Sequence, residues 1–171
     1  MPRNGTRPSG FPFSPQLGYN PTGSGDTRNP VRPDINPNFH GKLYPHTVAQ
    51  WFNPNAFSAP LSTLSSSGGI TGGAVGNLGR DTLVGPGLKE LDLALLKNTQ
   101  LREGLNLQFR SEFFNVLNHA NFTTPNAVTY ASAPTLVSGT YTLPSVSSTA
   151  GVITATSTSS RQIQFGVKLV F

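Results

Sequence analysis

The sequence predicts an all-β fold, with antiparallel strands in the C-terminal half and irregular segments elsewhere. Two observations support this prediction. Residues 1–90 hold 14 Gly and 12 Pro, whereas residues 91–171 hold only 4 Gly and 3 Pro. In the second part, three segments alternate apolar and polar residues with a period of two, which indicates strands with two different faces.

The first half, residues 1–87, is predicted to be a long Gly/Pro-rich loop. Proline and asparagine recur throughout "NPTGSGDTRNPVRPDINPNF", and each residue before a proline is disfavoured in a helix. The segment "QWFNPNAFSAPL" at residues 50–61 contains the only tryptophan, Trp51. We expect this aromatic cluster to fix the loop. Residues 65–79 are low-complexity sequence rich in Ser and Gly.

The first two predicted strands form an antiparallel hairpin. Over residues 88–96, leucines alternate with Glu90, Asp92 and Ala94. The next residues, 97–104, carry turn chemistry, and residues 105–115 resume the alternation. Two such runs joined by a short connection predict a hairpin.

The third predicted strand, residues 161–171, has the most regular alternation in the chain. The preceding residues, 117–160, are rich in Ser, Thr and Ala and are predicted to be a long loop with one irregular hairpin. The apolar positions of the last strand are Ile163, Phe165, Val167, Leu169 and Phe171.

These strands have the length that a tilted strand needs to cross a bilayer, about 9–11 residues. Their polar faces suit a water-filled lumen, in which Asp92, Arg110, Glu112 and Lys168 are expected to form a ladder of charges. A half-buried strand of a soluble sandwich shows the same alternation. The connections favour closing strands of a transmembrane β-barrel, an incomplete barrel here, because one connection is short and the others are long.

Composition excludes several other classes. The net charge is +5, but the 12 basic residues are scattered without a run of three, so nucleic-acid binding is not expected. Cysteine is absent, which excludes a disulfide framework and a thiolate metal site. No apolar run matches a secretory signal or a membrane helix. If the chain spans a membrane, it must therefore do so with β-strands.

No constellation of catalytic residues is present. The glycine-rich segment departs from the phosphate-binding loop, since Arg80 stands where a Lys is required and Ala74 where the first Gly is required. His40 and His46, with Asp34, lack a standard zinc spacing. No serine lies in a nucleophile-elbow sequence. We therefore expect no enzyme activity, no cofactor and no metal site.

The last eight residues, "QFGVKLVF", resemble the C-terminal assembly signal of bacterial outer-membrane β-barrels. In that signal a polar residue, a glycine, a hydrophobe and a terminal aromatic recur at fixed spacing, and here these are Gln164, Gly166, Leu169 and Phe171. An apolar strand of this kind can pair with an open edge of the assembly machinery. Gly166 is expected to permit a bend or a close backbone approach.

Four longer segments extend the resemblance. They are "WFNPNAFSAP", "GNLGRDTLVGPGLKELDLALLKN", "LQFRSEFFNVLNHANF" and "RQIQFGVKLVF". In this order they resemble the C-terminal ends of TonB-dependent receptor-like outer-membrane proteins of the Oar-like group. Members of that group have an N-terminal carboxypeptidase-regulatory-like domain and are abundant in Acidobacteria. The resemblance covers residues 50–122 and 161–171.

The resemblance implies a barrel of about 22 strands filled by a plug domain. Such receptors take up metal chelates, glycans or peptides with energy from the inner membrane. The implied partners are outer-membrane lipid, the barrel assembly machinery at the last strand, and the upstream strands and plug. Because only three clear strands are present, the chain is expected to be a fragment or a truncated reading frame of a longer protein of the cell outer membrane.

Orientation follows if Phe171 ends at the periplasmic face. Residues 97–104 then form a periplasmic turn, and residues 1–87 and 117–160 lie outside the cell. The alternative is a soluble secreted β-rich adhesin or surface-binding module. That alternative predicts apolar strand faces that are dry and packed against each other.

Overall fold

The structure is a computed structural model that describes residues 10–26, 28 and 30–171. The described residues contain thirteen strands and one 3-10 turn, Pro54–Ala56. The predicted all-β class is thus confirmed, and no described sheet has more than three strands, as the predicted incomplete barrel requires. In the described part, no helix has the length and hydrophobicity to cross a membrane. The part of the predicted loop at residues 1–9 lies outside the described residues.

Two compact units make up the described chain. The first comprises the described residues up to Pro86 together with Thr123–Thr154, and the second comprises Gly87–Phe122 and Ala155–Phe171. In chain order the strands are Gly10–Phe13 (β1), Gln16–Leu17 (β2), Asp34–Ile35 (β3), Phe57–Ser58 (β4), Ser62–Leu64 (β5), Ile70–Gly73 (β6), Leu83–Gly87 (β7), Leu93–Arg102 (β8), Leu105–Phe114 (β9), Val128–Tyr130 (β10), Thr135–Val137 (β11), Thr140–Thr142 (β12) and Gln162–Val170 (β13).

Short strands paired in twos form the first unit: β1 with β7, β3 with β4, β5 with β6, β11 with β12, and β2 in parallel with β10. The β11–β12 hairpin turns at Ser138 and Gly139, whose φ angles are 50° and 75°. Positive φ at both central residues is what a type I′ hairpin turn requires. This is the irregular hairpin that the sequence predicts within residues 117–160.

A small aromatic core holds the first unit together. Phe52 is completely buried, and its ring centroid lies 5.8 Å from that of Phe13 and 6.0 Å from that of Phe57. Burial of such rings stabilises a fold by about 1.5–3 kcal/mol each. The cluster also contains Ala56, Leu78 and Leu83.

The aromatic segment at residues 50–61 fixes this unit, as the sequence predicts. Trp51 donates a hydrogen bond from Nε1 to the backbone oxygen of Val84 at 2.8 Å. The described part of the long connection predicted over residues 1–87 is therefore ordered by strands and a core. Its Gly and Pro content keeps the strands short without preventing burial of the few large rings.

The second unit contains one antiparallel sheet of three strands in the order β13–β9–β8. The strand predicted at residues 88–96 instead begins at Leu93 and continues to Arg102, because pairing with β9 extends through its polar residues. The turn predicted over residues 97–104 is correspondingly reduced to Glu103 and Gly104. Gly104, at φ 75°, supplies the left-handed conformation of this turn.

Tyr19, in the first unit, has a buried hydroxyl without a hydrogen-bond partner in the described part of the chain. Burial, then the neighbouring Tyr141 and Tyr130, raises the pKa of Tyr19 from 10.0 to about 12. The folded state thus favours the neutral phenol. Its contribution to stability is complete below pH 10, the unfolded value, and is lost as the pH rises towards 12.

We predict that Tyr19→Phe leaves the free energy of unfolding at neutral pH within about 1 kcal/mol of the original, because no hydrogen bond is lost. The variant should also lose less stability between pH 10 and 12. The matched control is Tyr130→Phe, which removes a 2.9 Å hydrogen bond to the Phe57 backbone oxygen and should cost about 1–3 kcal/mol. Urea titration of the protein in detergent, followed by Trp51 fluorescence, measures both. Equal losses in the two variants at neutral pH would contradict this account of Tyr19.

Candidate functional site

One face of the three-stranded sheet is apolar and exposed. The register places Leu95, Ser111 and Phe165 side by side, so the odd-numbered residues of β9 and β13, and those of β8 up to Thr99, share this face. We call it the apolar face. Its exposed large side chains are Leu93, Leu95, Phe109, Ile163, Phe165, Val167 and Leu169. A soluble sandwich would cover these side chains, whereas contiguous exposed apolar surface marks contact with a membrane or a partner.

The aromatic rings of the apolar face pack around Ser111. The ring centroid of Phe165 lies 6.2 Å from that of Phe109 and 6.4 Å from that of Phe113. Ser111 pairs with Phe165 in the register and is only 3% exposed. The small serine leaves space that the larger ring covers, and each aromatic pair adds about 0.5–1.5 kcal/mol.

The opposite face of the sheet is mainly polar, with Leu96 and Val170 as its large exposed apolar exceptions. Arg110 and Glu112 form an ion pair on it. Gln108, which lies two residues before Arg110 on β9, donates a hydrogen bond from Nε2 to Oδ1 of Asn98 on β8 at 3.0 Å. Polar side chains thus bond along a strand and across strands, which is the arrangement expected of a wet barrel interior.

Three of the four predicted lumenal residues lie on this polar face. Arg110 and Glu112 are paired with each other, while Lys168 lies beside Gln108 in the register and has no ion pair among the described residues. The fourth, Asp92, precedes β8 and lies outside the sheet. Its Oδ1 accepts the backbone N–H of Asn115 at 2.9 Å.

The four residues of the C-terminal signature lie on or just beyond β13. Gln164 and Gly166 are on the polar face and Leu169 is on the apolar face. Phe171 follows the strand and is 98% exposed. The close backbone approach expected at Gly166 is not found, since an added Cβ would lie 3.9 Å from its nearest neighbour, the Cβ of Arg110.

At one end of the sheet, two asparagines join three segments of the second unit. Asn115 donates from Nδ2 to the backbone oxygens of His119 and Ser159 at 3.1 and 3.0 Å. Its Oδ1 accepts the His119 N–H at 3.0 Å. Asn115 is 1% exposed, so each of these bonds is made away from water.

Asn121 is the second asparagine whose side chain joins segments at this end of the sheet. Its side chain bonds both backbone groups of Lys89, accepting from N–H at 2.8 Å and donating to the oxygen at 3.0 Å. It also donates to Thr158 Oγ1 at 2.9 Å and is 1% exposed. We call Asn115 and Asn121 with these partners the asparagine network. It fixes the chain where β8, β9 and β13 begin or end.

Sequence reasoning missed the asparagine network and treated residues 114–125 as an Asn-rich exit from the strand. The available signal is the spacing of three between Asn115, Asn118 and Asn121 in "NVLNHAN". Asn115 and Asn118 have φ angles of 47° and 49°. Asparagine is one of the few residues that adopt this left-handed conformation readily.

Comparison with protein families identifies the chain. A family model described as an outer membrane beta barrel domain matches residues 5–164. The chain belongs to this family. No curated protein and no solved structure matches it.

As an outer membrane β-barrel domain, the chain has its place in the outer membrane, which confirms the predicted localisation and the predicted contact with lipid. The apolar face is the surface of this domain suited to hydrocarbon. Its strands of 10, 10 and 9 residues have the span that a tilted transmembrane strand requires. The soluble alternative predicts that this face is dry and packed, and the exposure of Leu95 and Phe165 disagrees with it.

Two basic residues interrupt the apolar face of the barrel domain. Lys97 pairs with Phe109 and therefore lies on this face. The register shifts between Gln100 and Arg102, so that Arg102 pairs with Leu105 and joins the same face. A lipid-facing Lys or Arg costs about 2–4 kcal/mol at the bilayer midplane and about 0–1 kcal/mol near the interfaces.

Of the three residues considered for metal binding, Asp34 and His46 have structural contacts in this domain, and His40 is exposed. Asp34 accepts the N–H of Asn77 at 2.8 Å. His46 packs between the rings of Tyr44 and Trp51, with centroids 5.2 and 4.9 Å away. Among the described residues, no three His, Asp or Glu side chains are grouped to hold a metal ion. Lack of enzyme activity stays a prediction.

We predict that Asn115→Ala lowers the free energy of unfolding more than Asn115→Gly, by about 1 kcal/mol, because glycine, unlike alanine, adopts the positive φ without strain. Both variants should have a free energy of unfolding about 1–3 kcal/mol below that of the original protein, because the side-chain hydrogen bonds are lost. Urea unfolding in detergent micelles, followed by circular dichroism, is the measurement.

The control for this pair is Asn118→Gly. Asn118 has the same backbone conformation, but within the described part of the chain its side chain bonds only the Arg161 N–H, at 3.1 Å. The Asn118→Gly substitution should lower the free energy of unfolding by no more than about 1.5 kcal/mol. Equal effects of all three substitutions would show that the asparagine network does not stabilise the sheet end.

Proposed function

We propose that this chain is the C-terminal part of a TonB-dependent receptor-like outer-membrane transporter. In this role it supplies closing strands of the barrel, outer segments and the C-terminal assembly signal. The observation that carries the barrel part of this proposal is the pair of open edges on the three-stranded sheet. Among the described strands, β8 and β13 each pair with β9 only. Unpaired backbone groups are not tolerated in hydrocarbon, so further strands must flank both.

The resemblance to Oar-like receptors supports the finer assignment. The segment "WFNPNAFSAP" supplies Phe52 and Phe57 of the first-unit core. The segment "LQFRSEFFNVLNHANF" supplies β9 and the asparagines of the network. The resembling segments therefore coincide with the residues that hold each unit together.

The proposed partners follow from the same assignment. The flanking strands and a plug domain come from the rest of the receptor polypeptide. The barrel assembly machinery engages β13, whose free edge and terminal aromatic suit pairing by strand addition. With Phe171 at the periplasmic face, the first unit lies outside the cell, where it contributes to ligand capture.

Fractionation of native cells tests the proposed function. An antibody against residues 30–86 should detect an outer-membrane band several times larger than 18.1 kDa, the mass of this chain. Peptides recovered from that band should include a plug domain. A band of 18.1 kDa, or recovery without plug peptides, would contradict the receptor assignment.

We predict that Phe171→Ala slows assembly into the outer membrane without lowering the stability of the refolded protein. The reason is that Phe171 is 98% exposed and so contributes no packing that its loss would remove. Pulse-labelling with heat-modifiable migration measures assembly, and urea unfolding in detergent measures stability.

The matched control is Phe11→Ala, which truncates another exposed phenylalanine, 72% exposed, in the first unit. This variant should assemble at the original rate. A Phe171→Ala variant that assembles as fast as the control would overturn the role given to the terminal aromatic.

A further inference from the structure

Three polar residues of β8 lie on the apolar face towards the turn end of the sheet. Lys97, Thr99 and Arg102 are all exposed, and neither cation forms an ion pair within the described residues. Their pairing partners on β9, in the same order, are Phe109, Leu107 and Leu105. The apolar face is thus continuous on β9 and β13 and becomes basic at one end of β8.

A bulge places Arg102 in this group. Strict alternation would put Arg102 on the opposite face from Lys97 and Thr99. The register shift between Gln100 and Arg102 leaves one extra residue, Leu101, and turns Arg102 to the apolar face. Bulges commonly redirect a side chain in this way, and here the redirected side chain is a cation.

The geometry points to a binding site for the phosphate of an anionic phospholipid, formed by Lys97, Thr99 and Arg102 on the outer wall of the barrel. This inference rests on the orientation proposed above, in which the turn Glu103–Gly104 faces the periplasm and the lipid belongs to the periplasmic leaflet.

Side-chain chemistry fits this occupant. The two cations are separated by about 16 Å of strand, and both long side chains can lean towards a head group between them. The guanidinium of Arg102 suits two phosphate oxygens at once, and the ammonium of Lys97 supplies a second charge. The hydroxyl of Thr99 lies between them as a further donor.

Position along the strand favours lipid over a carboxylate of a neighbouring strand. Arg102 is next to the turn, where the hydrocarbon ends and head groups lie. The stem of Lys97 can run along apolar surface towards the same level, as lysine does near membrane interfaces. A neighbouring acidic strand is the competing occupant and is one outcome of the test.

Native mass spectrometry of the full protein purified from outer membranes tests the site, with phosphatidylglycerol and phosphatidylcholine as probes. The protein should prefer phosphatidylglycerol. Lys97→Gln and Arg102→Gln should each weaken its binding about fivefold, and the double variant about 30-fold. Deletion of Leu101 should leave binding unchanged, because it removes the extra residue and keeps the arginine opposite Leu105 on the apolar face. Lys168→Gln, on the polar face, should leave binding unchanged.

Several outcomes would overturn the site. The first is that the double variant binds phosphatidylglycerol as tightly as the original protein. The second is that inorganic phosphate, at the same concentration as the lipid, competes fully with it. The third is a zero-length cross-link from Lys97 to a carboxylate of another segment. Heat-modifiable migration of the same samples reports barrel insertion. If the proposed receptor function is wrong, the protein should fail to insert as a barrel. If only the lipid site is wrong, the protein should insert but show no preference for phosphatidylglycerol.

Discussion

Backbone hydrogen bonding is the constraint on which the rest of this structure depends. A strand in hydrocarbon must pair every N–H and C=O group with a neighbouring strand, because no water is present to bond them. The antiparallel register meets this requirement for β9, which has a neighbour on each side, and for the inner edges of β8 and β13. It also sorts the side chains, since residues that pair directly share a face. The apolar face and the polar face are both consequences of that pairing.

The same constraint explains the asparagine network. Where the strands end, backbone groups lose their ladder partners and need others. The amide side chain of Asn121 bonds both backbone groups of Lys89, and Asn115 bonds two carbonyl oxygens and one N–H. An amide carries both donors and an acceptor, so it can replace either side of a backbone ladder. The repeated asparagines continue the hydrogen bonding of the sheet into its connections.

Strand positions were predictable from sequence where the alternation is strict. The last strand, predicted at residues 161–171, is observed at Gln162–Val170, and the second, predicted at 105–115, at Leu105–Phe114. Both have a large apolar residue at almost every second position. The first strand was misplaced because Lys97 and Thr99 break its apolar series, although β9 still pairs with them.

Other features depend on contacts that alternation does not encode. Arg102 changes face because of a bulge, and Asp92 leaves the predicted charge ladder to bind the Asn115 backbone. The core around Phe52 joins segments far apart in the chain, so a local count of Gly and Pro under-estimates its order. Each of these outcomes is set by pairing or packing between distant residues, which a single sequence does not display.

The most direct test of the central claim is the lipid exposure of β13. The chain has no cysteine, so single cysteines at positions 163–170 can carry nitroxide spin labels without background. In reconstituted membranes, oxygen accessibility measured by electron paramagnetic resonance should alternate with a period of two, with maxima at 163, 165, 167 and 169. Maxima at the even positions, or no alternation, would contradict the assignment of the apolar face to lipid.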